Sequence, residues 1–132
     1  MKVQKKTFLG GKFARVREDI NQGDILEILD EGREIPGQWG ERNVFRVLTL
    51  NGDRFLTFNS TSMNYLIDVF GDETKNWIGK KVKVWLVKSN VGGKMRDVVY
   101  LTHPTWIETK DGFGPAKKVE DEEIPIIEEK NA

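Results

Sequence analysis

The segment Lys80–Lys88, KKVKVWLVK, alternates cationic and apolar side chains. Alternate side chains of a β-strand point to the same face, so Lys81, Lys83 and Trp85 would share one face, opposite an aliphatic face. A cation neutralises a phosphate group, and an aromatic face stacks on a base for about 1–3 kcal/mol. This pattern favours contact with a single-stranded nucleic acid, with a merely solvated lysine face as the alternative.

Two glycine-bearing segments add further cations and a second tryptophan. The segment Glu31–Arg42 places Trp39 between Gly37 and Gly40, where a core position is hard to build, and Ser89–Lys94 is the other segment. Both segments are predicted loops. Their candidate contacts to nucleic acid, with the residues that flank the second loop, are Arg33, Trp39, Arg42, Lys88, Lys94 and Arg96.

Two phenylalanines on neighbouring predicted strands are further candidates for base stacking. The leucine-rich side of these strands is predicted to face the core, which turns Phe45 and Phe55 toward a ligand. The core side on this assignment consists of Leu48, Leu50, Leu56 and Phe58. The alternative is that both phenylalanines pack beneath the N-terminal segment, because aromatic residues are common in strands for packing reasons alone.

Residues that would serve catalysis or metal binding are not grouped in the sequence. His103 is the one histidine, and the chain has no cysteine. A lone histidine lacks the partners of a metal site, and the segment around Gly93-Lys94 lacks the earlier glycine of a phosphate-binding loop. We therefore expect no enzymatic activity, no metal and no cofactor. A hydrolase built on two carboxylates has no motif in its favour.

Five strands and one helix would position these candidates. The strands are predicted over Asp24–Gly32, Asn43–Leu50, Arg54–Asn59, Lys80–Lys88 and Met95–Thr102. Asn51-Gly52 between the second and third strands is a strong hairpin signal. Ser60 or Thr61 would cap a helix whose apolar residues follow helical spacing as far as Gly71.

The order strand, strand, strand, helix, strand, strand predicts an all-β fold with one helix, a five-stranded and partly open barrel of the OB type. A small SH3-like barrel and a β-sandwich with a helical insertion are the alternatives. The predicted domain spans residues 1–109, with a core over about 20–105. Residues 110–132 are predicted to be a flexible linker and a disordered acidic tail, because too few apolar residues accompany the acids to offset ordering.

The charge is distributed unevenly along the chain. Residues 1–118 hold 20 Lys and Arg against 15 Asp and Glu, and residues 119–132 hold one Lys against six acids, so the +5 body and the −5 tail cancel. A basic body with an acidic tail suggests a polyanionic ligand or a tail that masks the body, with a solubilising tail as the alternative. The chain shows no secretory signal, no apolar run of membrane-spanning length and no cysteine, so we expect a cytoplasmic protein without membrane contact.

One long stretch resembles a known group of proteins. From Thr61 to Pro104, a helix ending in Phe-Gly-Asp is followed by a Trp-Ile-Gly-Lys turn and a hairpin closed by proline, and this resembles the small OB-fold proteins of phages and archaea. The segment Gly23–Gly32, GDILEILDEG, is similar to their first strand. The resemblance covers roughly residues 20–105 and implies single-stranded-DNA binding or an accessory role in replication, recombination or repair.

The tail carries a second resemblance. Its DEEIPI sequence is similar to the acidic tip of bacterial single-stranded-DNA-binding proteins, where aspartates precede a terminal Ile-Pro-Phe. That tip docks on replication and repair proteins and folds back on the DNA-binding surface. Here Ile126 replaces the phenylalanine and Ile127–Ala132 follow, which favours masking of the body over docking. The tail residues assigned this role are Glu120, Asp121, Glu122, Glu123, Ile124, Pro125 and Ile126.

These observations predict a protein that binds single-stranded DNA, or else RNA, with little sequence specificity through stacking and phosphate contacts. The competing hypothesis is an OB-type protein-interaction module of a phage or archaeal complex that does not touch nucleic acid. The sequence leaves the oligomeric state open.

Overall fold

The structure is a computed structural model, and it describes residues 11–37 and 40–115. These residues are mostly in strands, with one α-helix among them. In chain order the elements are β1 (Ile25–Ile28), β2 (Arg33–Gly37), β3 (Gly40–Thr49), β4 (Gly52–Phe58), α1 (Ser60–Phe70), a 3-10 helix (Thr74–Trp77), β5 (Lys81–Val91), β6 (Lys94–Thr102), β7 (Trp106–Thr109) and β8 (Gly112–Pro115). In the described ranges, no helix is both long enough and apolar enough to cross a bilayer.

Local sequence signals determine the hairpin and the helix. The hairpin that the Asn-Gly signal predicts forms between β3 and β4, but its turn is Leu50-Asn51, one residue earlier, with Thr49 paired to Gly52. Helix α1 begins one residue earlier than predicted, because the Asn59 side chain caps it by accepting from the Ser62 amide at 2.9 Å. It ends at Gly71, as predicted.

Six strands form one open sheet in the order β2-β3-β1-β5-β6, with β4 on the other edge of β3. The ten-residue strand β3 pairs first with β2 and then with β1 along one edge, so β1 and β2 together act as one bent neighbour. The end strands β4 and β6 are not joined by backbone pairing. Helix α1 connects with β6, because the Leu101 amide donates to Ser62 Oγ at 2.9 Å.

Both predicted loops turn out to be mostly strand. The segment Glu31–Arg42 contains β2, an edge strand in which Pro36 is tolerated because its missing amide hydrogen is not needed on the open side. The segment Ser89–Lys94 is the tip of a long β5–β6 hairpin. Only Gly92 and Gly93 form its turn, with φ values of 60° and 84° that glycine adopts freely.

The core lies between the curved sheet and α1, and the prediction of the face that β3 turns toward it was wrong. Phe45 is only 1% exposed and stacks on Phe58 and Trp77, with ring centroids 4.2 and 5.5 Å away. Leu48 and Leu50, predicted to be core, are 42% and 64% exposed. Because side chains alternate, assigning one residue to the wrong face moved every side chain of β3 to the wrong side. Leu56 and Phe58 of β4 are buried, as predicted.

The N-terminal segment Gly11–Asn21 covers the free edge of β4. The Phe55 amide donates to the Lys12 carbonyl oxygen, and the Ala14 amide donates to the Phe55 carbonyl oxygen, both at 2.8 Å. Phe55 itself points away from the core, as predicted, but it is only 5% exposed because the N-terminal segment covers it. The alternative, burial beneath the N-terminal segment, is confirmed for this residue.

Strands β7 and β8 form a separate hairpin that packs against the outside of β5, β6 and α1. The Phe113 ring lies 4.6 Å from Trp85 and 5.9 Å from both Tyr65 and Tyr100. The predicted boundary between residues 109 and 110 falls in the turn of this hairpin, and residues 112–115, assigned to a linker from the sequence, form β8. The acidic tail lies outside the described residues.

Candidate nucleic-acid interface

The side of the sheet that faces away from the core, here called the outer face, collects the predicted cations through strand register. Directly opposed residues of an antiparallel pair point to the same side. Arg33 on β2 opposes Val44 on β3, and Arg46 on β3 opposes Phe55 on β4. Arg33, Arg46 and Phe55 therefore share the outer face.

These residues line a depression of about 390 Å³, which we call the basic groove. The functional side chains that line it are Lys12, Arg33, Arg46, Asp53, Arg54 and Phe55. Four cations thus surround one carboxylate and a buried phenyl ring. Such a concentration of positive charge attracts an anion, and a row of phosphates fits an elongated basic surface.

The four cations differ in how strongly the protein already holds them. Arg46 pairs with Asp53, and both side chains are half exposed. Arg54 is fixed from below, because its Nε lies 3.3 Å from Asp19 Oδ2. Within the described ranges, no carboxylate lies at ion-pair distance from Lys12 or Arg33. These two cations are the ones most available to a phosphate.

Asp19 fixes the position of Arg54, one of the groove cations. This buried carboxylate accepts from the Asn51 side-chain amide and from the Arg15 backbone amide, each at 2.9 Å. The hydrogen bond from Asn51, then that from Arg15, and then the charge of Arg54 lower the pKa of Asp19 below its ordinary value of 3.8. Its ionised form therefore stabilises the fold.

We expect Asp19→Asn to destabilise the protein at neutral pH and to do so less as the pH falls. A lowered pKa in the folded state means that the ionised carboxylate contributes stability above pH 3.8, and this contribution is lost as the pH falls through the folded-state pKa. Urea unfolding of the wild type and the variant over a pH series measures the effect. Asp111→Asn, which removes an exposed carboxylate at the β7–β8 turn, is the control. A deficit of Asp19→Asn that stays constant down to acid pH would contradict the assignment.

The β5 candidates lie on the same outer face, but Trp85 is not the open stacking residue that the sequence predicts. Lys83 opposes Ile25, and Lys81 opposes Glu27 on β1, so both lysines continue the outer face. The Lys83 ammonium group lies 4.7 Å from the Trp85 ring centroid, and Phe113 covers the ring from β8. Trp85 is half-buried because the β7–β8 hairpin covers its ring. The sequence assigned part of this hairpin to a linker and therefore did not predict the cover.

Three further candidates lie on the projecting β5–β6 hairpin. Lys88 is 3.2 Å from Asp97, and Arg17 of the N-terminal segment contacts the same carboxylate at 2.9 Å. These hydrogen bonds, from Arg17 first and then from Lys88, lower the pKa of Asp97. Lys94 and Arg96 are exposed, and no described carboxylate lies at ion-pair distance from them.

Of the remaining candidates, one lies at the edge of the face, one lies in the core, and the others lie outside the described residues. Arg42 opposes Ile35 on the outer face, and its side chain lies against Gly37. A Cβ atom at Gly37 would come within 2.9 Å of both Arg42 Cγ and the Gly40 carbonyl oxygen, so a larger residue there would require local rearrangement. Phe45 is in the core and has no access to a ligand. Trp39 and the tail residues 120–126 lie outside the described residues, and their roles stay predictions.

Sequence reasoning missed Lys12, Arg46 and Arg54 as groove residues. Arg46 and Arg54 lie on strands whose faces were assigned by counting leucines, which left both arginines unexplained. An arginine in a strand pattern is itself a signal for the solvent side, because a charged side chain is rarely buried without a partner. That signal identifies the outer face correctly at Arg46. Arg54 is half-buried instead, and Asp19 is the partner that permits its burial.

A second, less charged depression lies beside the groove. Its volume is about 310 Å³, and three exposed aliphatic side chains contribute to it: Ile25, Leu48 and Leu50. Lys81 lies at its border. In the described ranges, no group of three or more histidine, aspartate or glutamate side chains is placed so that it could hold a metal ion.

Comparison with known proteins adds no relative. No family model matches the chain, and no curated protein matches it. The function is therefore inferred from the geometry and charge of the outer face.

Proposed function

We propose that this protein binds single-stranded DNA with little sequence specificity, along the outer face of β2, β3 and β4, as an accessory to replication, recombination or repair. The observation that carries the proposal is the basic groove, in which Lys12 and Arg33 have no described ion-pair partner. Phosphates of any sequence would meet the same cations, so base identity would matter little.

The topology supports an OB-type barrel, partly open, as the framework. The strands follow the order β4-β3-β1-β5-β6, with α1 joining β4 to β5 and contacting β6. In OB folds the face of the second and third strands and the loops beside it bind oligonucleotides. The basic groove lies on the corresponding strands, β3 and β4.

The residue proposed here for base stacking is one that the sequence analysis did not select. Phe13 is 39% exposed beside the groove, and its ring lies 5.9 Å from that of the buried Phe55. An exposed phenyl ring next to four cations offers a base one stacking surface. Phosphate contacts thus contribute more than stacking within the described residues.

Titration of fluorescently labelled oligo-dT at increasing salt tests the proposal. We expect saturable binding at low salt, with log affinity falling against log salt by about 0.7 for each phosphate neutralised. Two to four engaged cations correspond to a slope between roughly −1.4 and −2.8. Absence of binding at low salt would refute the proposed function, and a slope near zero would refute the groove as its site.

One observation favours a second candidate, a protein-interaction module. The exposed side chains of Ile25, Leu48 and Leu50 form an apolar area, and such areas often contact other proteins. Its charged border consists of Asp24, Glu27 and Lys81. Under this alternative, replacing Leu48 and Leu50 with serine would abolish partner binding while oligo-dT showed no binding to the wild type. The two candidates are thus separated by the same titration.

A further inference from the structure

The β5–β6 hairpin projects beyond the body of the protein as a two-stranded ribbon, Val87–Val98. The body supports its base: the Gln22 side chain accepts from the Leu86 amide at 2.8 Å, and the Asn59 side chain donates to the Val99 carbonyl oxygen at 3.0 Å. Beyond these contacts, five register pairs run from Val87↔Val98 to Val91↔Lys94. The ribbon is therefore about 15 Å long at the usual rise per residue.

The two faces of the ribbon carry different charge. Ser89 opposes Arg96 and Val91 opposes Lys94, so both free cations lie on one face, which we call the cationic face. On the opposite face Lys88 is already paired with Asp97, and Arg17 ties that carboxylate to the N-terminal segment. The ion pairs brace the base of the ribbon and leave Arg96 and Lys94 available.

The shape and charge of the ribbon suit one class of partner. Exposed strand edges can pair with another protein strand, but lysine and arginine at an edge oppose such pairing. The major groove of a DNA duplex is about 12 Å wide and admits a two-stranded β-ribbon, with phosphates along both rims. The cationic face supplies charges for the phosphates, and Ser89 supplies a hydrogen-bonding group for base edges.

We propose that the β5–β6 ribbon binds the major groove of duplex DNA beside the single strand held in the basic groove. The protein then recognises a junction between single-stranded and duplex DNA, which rests on the proposed single-strand function. Lys81 and Lys83 lie on the outer face of the same strand that continues into the ribbon, so two further cations lie along this strand. The duplex requires no base-specific contact in this arrangement.

Affinities of the full chain for three labelled ligands test this proposal: oligo-dT, a blunt duplex, and the same duplex with a single-stranded tail. We expect the tailed duplex to bind at least about tenfold more tightly than either of the others, because at least one more phosphate contact forms and each contributes roughly tenfold at low salt. Lys94→Ala with Arg96→Ala should reduce the ratio of the tailed-duplex affinity to the oligo-dT affinity to near one. The control, Lys75→Ala with Lys110→Ala, removes two exposed lysines that belong to neither the ribbon nor the basic groove and should preserve the ratio.

Each other outcome overturns the proposal in a distinct way. If Lys94→Ala with Arg96→Ala leaves the ratio of the tailed-duplex affinity to the oligo-dT affinity unchanged, the ribbon does not bind the duplex. If the wild type binds the tailed duplex no better than oligo-dT, recognition of the junction is refuted. If the same variant changes its oligomeric state but not its affinity for the duplex, the ribbon pairs with another protein strand instead of binding DNA. If oligo-dT does not bind but the blunt duplex binds through Lys94 and Arg96, the single-strand function fails and the ribbon contact stands.

Discussion

Replacing Arg33 and Arg46 together with alanine should weaken binding of oligo-dT by roughly 100-fold at about 50 mM salt, since each lost phosphate contact lowers affinity roughly tenfold there. Arg33 has no described ion-pair partner, and Arg46 shares the groove with it. Removal of Arg46 also leaves the Asp53 carboxylate uncompensated beside the ligand, which adds repulsion. We further expect the salt slope to become shallower by about 1.4, because two phosphates are no longer neutralised.

The matched control is the same Lys75→Ala with Lys110→Ala variant, which removes an equal charge from elsewhere. It should lose less than about threefold in affinity, because neither lysine lines the groove and salt screens exposed charges that do not contact the ligand. Fluorescence anisotropy at several salt concentrations measures both quantities. Equal losses in the two variants would mean that net charge, and not the groove, governs binding.

Gly32→Ala should lower the free energy of unfolding by about 2–5 kcal/mol, the largest stability effect that we expect from adding a single methyl group. Gly32 has a φ of 77°, and a Cβ atom there would lie 2.6 to 2.8 Å from three ring carbons of Phe45. That ring is stacked between Phe58 and Trp77 in the core and has little room to move. The cost is thus the sum of a left-handed backbone and a displaced core ring.

Gly23→Ala separates these two causes. Gly23 has a φ of 86°, close to that of Gly32, but nothing lies within 4 Å of the position that an added methyl group would occupy. We expect this variant to lose only the backbone part, about 1–2 kcal/mol. Urea unfolding compares both variants, and Gly32→Ala should cost less when Phe45 is first changed to leucine. Equal losses for Gly23→Ala and Gly32→Ala would show that the ring contact is unimportant.

The parts of this fold that depend on neighbouring residues could be predicted from the sequence. Asn51-Gly52 indicates the β3–β4 turn, because the chain leaves the turn at Gly52 with a φ of 102° that favours glycine. The extent of α1 follows from the apolar spacing and from Gly71 at its end. The alternation on β5 likewise assigns Val82 and Val84 to the core, which the structure confirms.

The parts that depend on distant packing could not be predicted. Whether Phe45 or Leu48 faces the core depends on Trp77 and Phe58, which come from other elements and fill the interior with aromatic rings. Likewise, nothing near Trp85 in sequence indicates that Phe113 covers it. The groove was only partly found, because Lys12 enters it from a segment that pairs with β4 across the sheet edge.

The segment that seals the edge of β4 also has a mechanical consequence. It supplies Lys12 to the basic groove and, a few residues later, Arg17 to the carboxylate that braces the ribbon. One short piece of chain therefore contacts both surfaces, and we expect a ligand that displaces it at one surface to alter the other. Such coupling is reciprocal: if a bound single strand alters the affinity of the ribbon by some factor, a bound duplex must alter that of the groove by the same factor.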